Sequence, residues 1–356
     1  METLDQLATR LKSTRTNTSG LTILITGATS GIGIYAAKLL ARINPLNRII
    51  LVGRTQAKAD IARNEVITVL PKDEGHEENV IALACDHCSL NSVKPFEAEL
   101  RAKLKETYRV EKWAMNGIDV LCLNAAVLVP QGSEPEFTVD NLEVTFQTNY
   151  LTPFLVGNCV LDLLNPGGRV VVATSGLHVG QTLNFDGMID DESGSAKKEF
   201  SMIDDSEFHF KQCYTLSKVC NVAYCLELNR ILQPRGIVAN CFSPGLMTTS
   251  GLFRHQCYSG DSGTFVQNKH VLMKEKTVEW GAGALVFMVL ADMSGRRGGE
   301  FWRDSNSTKG AKAIYGKEFC PCAISEESIS QEKRTQLWRL SCELAGIPCD
   351  HNQIEY

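Results

Sequence analysis

Residues 21–33 read LTILITGATSGIG, an apolar run that ends in a turn carrying Gly27, Gly31 and Gly33. The run is apolar on both faces, as in a strand of a parallel sheet covered by helices. Glycine lets the backbone take positive φ and lets a phosphate come close. The free N–H groups and positive dipole end of a following helix suit a pyrophosphate. The spacing is Gly-x-x-x-Gly-x-Gly, not Gly-x-Gly-x-x-Gly. A plain tight turn of small residues shares this composition, but strand, glycines and helix in this order favour a dinucleotide cradle.

Outward from that turn, further Val-, Ile- and Leu-rich runs fall at 48–53, 80–86, 118–123, 169–174 and 236–242. Helical stretches separate them at 32–43, 91–105 and 213–232. The last of these carries Val219, Val222, Ala223 and Leu226 at i, i+3, i+4 and i+7. This βαβα order predicts a Rossmann-type, doubly wound α/β fold. A closing helix over 330–345 is punctuated by Gly346 and Pro348. The expected organisation is an extension over 1–19 and one domain over 20–350 with a C-terminal helical extension. A polar, aperiodic insertion is expected at about 180–212, and Gly-containing surface from Phe253 to about Asn268.

Composition narrows the class. The chain has 356 residues, 44% hydrophobic and 22% charged, enough to bury a large core. A net charge of −5 gives no basic surface for nucleic acid. Thirteen cysteines, an odd number, suit a reducing compartment better than a disulfide framework. The close spacings Cys85-Asp-His-Cys88 and Cys320-Pro-Cys322 lack a second pair, so no metal site is expected. The N-terminus has no apolar signal core, and the apolar run 282–291 is too short to span a bilayer. An intracellular protein, cytoplasmic or organelle-associated, is the expectation. Peripheral membrane contact and a homodimer stay open.

Two further stretches carry chemistry. The second run ends at Arg54 and Thr55, where an acid would bind the ribose hydroxyls of NAD. Arginine suits the 2′-phosphate of NADP, although a solvated surface residue is the alternative. Asp86, after the third run, is placed to meet the adenine. YTLSKVCN, residues 214–221, sets Tyr214 four positions before Lys218, on one helix face. An ammonium beside a phenol favours the phenolate. Moving a phenol from about 10 toward 7 takes about 4 kcal/mol. Tyr-x-x-x-Lys also arises by chance, so its surroundings decide its meaning.

Those surroundings resemble the short-chain dehydrogenase/reductase family over nearly the whole chain. TGATSGIG matches the family's cofactor turn, and LNAA (123–126) its Asn-Asn-Ala-Gly segment, with Leu123 and Ala126 as departures. QTNYL supplies Asn149, VVVATSG ends in Ser175 and Gly176, and SPG with Thr249 matches the segment that closes over the nicotinamide. SKVCN, NAAV and GLFR look like the light-dependent protochlorophyllide reductases, and LWRLSCELAGIP like the retinol dehydrogenases, in a branch that also holds the WW-domain oxidoreductase. The long gap between Ser175 and Tyr214 is shared by that branch. Where the pigment enzymes carry a cysteine after Pro-Gly and a tyrosine after Asn-Ala-Ala-Val, this chain has Leu246 and Leu128.

The resemblance implies an NADP(H)-dependent oxidoreductase acting on a carbonyl or alcohol of an apolar, retinoid- or steroid-like small molecule. Tyr214 would be the general acid or base, Lys218 would lower its pKa and bind ribose, and Ser175 would hold the substrate oxygen. Asn149 would hold a water linking Lys218 to solvent. The cofactor would touch Gly27, Ser30, Gly31, Ile32 and Gly33 in the turn, then Arg54, Thr55 and Asp86. It would also meet Asn124 and Ala125, Tyr214 and Lys218, and Pro244, Gly245 and Thr249. Taken singly, Tyr214 reads equally as an amphipathic helix residue, Ser175 as a strand-end cap and Asn149 as a buried polar bond. The rival readings are a light-dependent pigment reductase and a non-catalytic, cofactor-binding regulatory or scaffold protein. His178 is expected to be a hydrogen-bonded loop histidine, and Cys220 and Cys225 core thiols.

Overall fold

The computed structural model describes residues 20–72, 75–108, 117–130, 134–179, 210–247, 250–253, 275–291, 297–304, 319–322 and 330–349, with single positions at 6, 181, 183, 295 and 324. Among the described residues eight strands form one sheet. They are β1 (Thr22–Thr26), β2 (Arg48–Gly53), β3 (Val80–Ala84), β4 (Ile118–Leu123), β5 (Leu164–Ala173), β6 (Val238–Phe242), β7 (Phe301–Asp304) and β8 (Phe319–Cys322). The order is β3-β2-β1-β4-β5-β6-β7-β8, parallel throughout except for the antiparallel β7–β8 pair at the edge. The first six are those expected from the apolar runs, with ends moved by a few residues. The strand order reverses between β1 and β4, which opens a crevice at their C-terminal ends.

The strands are apolar on both faces because both faces are covered. Leu24 and Ile50 point into one core, while Ile23, Ile25, Ile49 and Leu51 point into the other. The second core is closed by α1 (Gly31–Ile43), α2 (Gln56–Ile67) and α6 (Val278–Leu290). The first is closed by α3 (Val93–Tyr108), α4, α5 (Phe210–Leu232) and α7 (Gln331–Ala345). Helix α4 is α-helical over Val144–Phe146, a π turn over Gln147–Leu151, and α-helical again over Thr152–Val160.

Helices α2, α4 and α6 and strands β7 and β8 were not expected from the sequence. The 282–291 apolar run is the body of α6, where every residue from Gly281 to Leu290 is buried, so no amphipathic stripe marks it. Among the described residues no helix is long and apolar enough to cross a membrane. The closing helix matches its expected span: the Ser330 hydroxyl accepts from Lys333 N at 3.1 Å, and Gly346 takes the left-handed conformation that ends it. It lies on α4 and α5 through a Tyr150 Oη–Ser341 Oγ hydrogen bond of 2.7 Å and through the Trp338 ring, 5.0 Å from Phe154 and 5.7 Å from Tyr224. The expected 1–19 extension, apart from Gln6, most of the 180–212 insertion and the surface after Phe253 lie outside the described residues.

Candidate active site

A cleft of about 850 Å³ opens at the C-terminal ends of the strands. Its floor is the β1–α1 turn. Gly27 has φ +64°, and a Cβ there would lie 2.7 Å from Ala125 Cα, so the turn and the β4 end pack backbone to backbone. Asn124 fixes that contact, donating from its own N to Thr26 Oγ1 at 2.9 Å and from Nδ2 to Thr26 O at 3.0 Å. Gly31, at φ +53°, is different: a Cβ there would meet nothing within 4 Å. The space over the start of α1 therefore opens into the cleft. No acidic residue occupies the first turn of α1, and Ser30 makes no side-chain cap bond. This cradle of backbone N–H groups fits a pyrophosphate.

The other expected cofactor residues divide. Ser30, Ile32, Arg54, Ala125, Pro244 and Gly245 line the cleft. Gly33 lies behind the turn, packed on Gly27 O, and the Thr55 hydroxyl caps α2 by accepting from Lys58 N at 3.4 Å. Asp86 does not line the cleft; its carboxylate takes Cys88 N at 3.0 Å and lies 3.7 Å from Arg54 Nε. Lys58, which the sequence reading passed over, lines the cleft beside Arg54 and gives that end a second cation. Thr249 lies outside the described residues.

Ser175, Tyr214 and Lys218 meet in the cleft wall. β5 ends just before Ser175, whose hydroxyl caps a short turn by accepting from Leu177 N at 3.2 Å and bonds the Tyr214 hydroxyl. Lys218 is 2% exposed; its Nζ donates to Ala173 O at 3.4 Å and lies 5.4 Å from the Tyr214 ring centroid. The expected lowering of the tyrosine is not what the geometry produces. Burial raises the Tyr214 phenol above its usual range, with the Ser175 bond opposing, and burial alone brings Lys218 down to about 7. Desolvation disfavours both charges and outweighs their mutual attraction.

Asn149 sits in the π turn and is 1% exposed. Its Oδ1 accepts from Val127 N at 2.7 Å, and Nδ2 donates to Val127 O at 3.0 Å and to Ser217 Oγ at 3.1 Å. It therefore clamps the β4 loop that carries Leu128 to the helix that carries Tyr214. His178 is the buried loop histidine expected, its Nδ1 2.6 Å from Ser175 O and its ring edge-on to Phe301 at 4.4 Å. Cys220 and Cys225 are core thiols, pushed up by burial.

Around Tyr214 the wall is apolar. Leu128 is buried against it, and Leu177, Leu246 and Leu252 pack on the pair. Leu177 and Leu252 were missed, lying in turns with no periodic pattern. So were Arg303 and Asp304 at the end of β7, and Lys276, whose Nζ pairs with Asp304 Oδ2 at 3.1 Å. The string FWRD was too short to read as a strand, although an apolar pair followed by two charges is how a strand end at a cleft looks.

Comparison with known proteins bears on the family and the fold. The sequence model of the short chain dehydrogenase family matches residues 21–185. Protochlorophyllide reductase B of Oryza sativa subsp. japonica is 30% identical over 349 residues, covering 93% of this chain and 79% of that protein. The WW domain-containing oxidoreductase of Gallus gallus is 28% identical over 327 residues, covering 91% and 67%. Among solved structures, an uncharacterized protein from Mycobacterium Paratuberculosis superposes with a TM-score of 0.64 at 21% identity, covering 95% of this chain and 98% of that one, and shares the fold.

Proposed function

The chain belongs to the short-chain dehydrogenase/reductase family, and from that premise we propose that it is an NADP(H)-dependent oxidoreductase that interconverts a carbonyl and an alcohol on an apolar substrate, retinoid- or steroid-like in bulk. The observation that carries the reading is the buried Tyr214 hydroxyl, bonded to Ser175 and walled by Leu128, Leu177, Leu246 and Leu252. Apolar contact there would contribute roughly 25 cal/mol per Å² buried. The proposed working unit is residues 20–350.

The glycine turn and the first N–H groups of α1 would hold the pyrophosphate, Arg54 and Lys58 the 2′-phosphate, and Lys218 the ribose hydroxyls. When bound, the nicotinamide supplies or accepts the hydride. Ser175 orients the substrate oxygen. Tyr214 gives that oxygen its proton in reduction and takes it back in oxidation. A phenol that burial keeps protonated suits the reductive direction near neutral pH. Asn149 acts at one remove, by fixing the loop that presents Leu128.

The named protochlorophyllide reductase relatives support a second reading, light-dependent pigment reduction. Leu246 and Leu128 speak against it, since neither has a proton to give. One experiment separates these and the non-catalytic alternative. Purified protein is mixed with NADPH and either protochlorophyllide or a panel of apolar aldehydes and ketones, in darkness and after illumination. NADPH consumed in the dark by an aldehyde or ketone supports the proposal. Chlorophyllide formed only in light replaces it with the second reading, and cofactor binding without turnover replaces it with the third.

A further inference from the structure

We propose that Arg303 is an anion anchor in the substrate half of the cleft, and that the natural substrate is an apolar carbonyl compound bearing a carboxylate near the reacting group. The inference rests on the oxidoreductase reading above and narrows its substrate class. Arg303 stands in β7, held in register by pairing with Cys320 and flanked by the buried Trp302 and Asp304. Its guanidinium lies 3.6 Å from where a Cβ would stand on Gly176, the residue after Ser175. Its charge is felt on that same loop, where it adds to burial in lowering the His178 pKa.

Among the described residues the positive charge has no carboxylate of its own. The adjoining Asp304 is taken by Lys276 at 3.1 Å, and among the described residues no other acid lies within ion-pair distance of Arg303. A cation with five donors, fixed on a strand at the edge of an apolar wall, matches a planar carboxylate, which it can receive bidentately. Leu128, Leu177, Leu246 and Leu252 would take the carbon skeleton, and Ser175 with Tyr214 the carbonyl. The position is separate from the Arg54 and Lys58 end, since β2, which leads into Arg54, and β7, which carries Arg303, stand on opposite sides of β1 and β4 in the sheet.

The test is binding by calorimetry of two non-reducible probes, 4-phenylbutyrate and its neutral amide, to the protein with NADP⁺ bound. The carboxylate is expected to bind at least about 10-fold more tightly than the amide, as a charge-assisted bidentate contact allows. Arg303→Gln should abolish that difference while leaving affinity for NADP⁺ unchanged. No preference for the carboxylate, whether both probes bind equally or neither binds, overturns the proposal. A preference that survives Arg303→Gln also overturns it and points to Lys211, another cation lining the cleft. Weakened NADP⁺ binding in Arg303→Gln overturns it by placing the residue at the cofactor. Because neither probe reacts, failure of the turnover reading shows itself elsewhere, in the aldehyde and ketone panel.

Discussion

The Lys218 nitrogen lies 5.4 Å from the centre of the Tyr214 ring, and both side chains are buried. A pair of this kind pulls two ways. Mutual proximity favours phenolate beside ammonium, while desolvation favours phenol beside amine. In this fold desolvation wins, and the phenol keeps its proton; under the proposed function that suits Tyr214 to give a proton.

Tyr214→Phe should leave NADPH affinity nearly intact and lower turnover by at least about 100-fold, the usual scale for losing a general acid. In the parent protein alcohol oxidation should quicken as pH rises, because its base is a phenol held high. Paired titration and steady-state assays check both; a mutant that keeps its activity removes Tyr214 from the chemistry.

Lys218→Met should stop turnover yet stabilise the protein when no cofactor is added. The folded lysine, at about 7, sits below its unfolded value near 10.4. At neutral pH and below, the unfolded chain holds the proton more favourably, and the penalty on folding is full. From about pH 7 to about 10 that penalty fades as the unfolded lysine also loses its proton. The mutant's advantage in Tm should therefore shrink over that interval. Ala173 O keeps a donor in the mutant, since Asn221 Nδ2 lies 3.3 Å away. An advantage that grows with pH would contradict the burial argument.

Arg54→Asp should turn a preference for NADPH into one for NADH, with the NADPH affinity falling by about 10- to 100-fold for loss of a charge-assisted contact. The new carboxylate would also face Asp86, the present partner of Arg54. Equal affinity of the parent protein for both cofactors would remove the basis of this expectation.

Asn149→Ala removes three hydrogen bonds and leaves the Val127 N–H and carbonyl without them. A cost of about 1–3 kcal/mol in urea unfolding is expected for such stranded groups. kcat/KM should drop as well, through a raised KM, because the loop carrying Leu128 loosens. A change in kcat alone would indicate a direct part in proton transfer.

Trp338→Ala should cost about 3–5 kcal/mol, the range for deleting a large buried aromatic side chain. The ring is 5% exposed and packs on both Phe154 and Tyr224. Denaturant unfolding measures this; a loss below about 1 kcal/mol would mean that α7 is only loosely attached.

Much of this arrangement was legible in the residues. The β1 turn, six of the strands and the Ser175, Tyr214 and Lys218 grouping were readable because each is a local pattern: an apolar run, a glycine spacing, a four-residue step on a helix. What was not legible depends on contacts across the chain. Arg303 stands at the cleft only because a four-residue strand pairs with β6 and β8, and no periodicity marks so short a run. Asn149 was identifiable, but its partner Val127 was not, since a π turn has no sequence signature here. The direction of the Tyr214 shift was misread because spacing brings Lys218 near without saying how dry the site is.

The bond between Tyr150 and Ser341 spans 191 residues. A nascent chain emerging at about 5–20 residues per second would thus make β1 to β6 long before the helix that seals α4 and α5. During that delay Phe154 and Tyr224 would have no Trp338 to cover them. Contacts of such range also slow the last step of folding, because the loop must close before it is rewarded. Until residues 331–345 are made, the growing chain therefore leaves this aromatic patch uncovered, a surface that a chaperone binding aromatic side chains could shield in that interval.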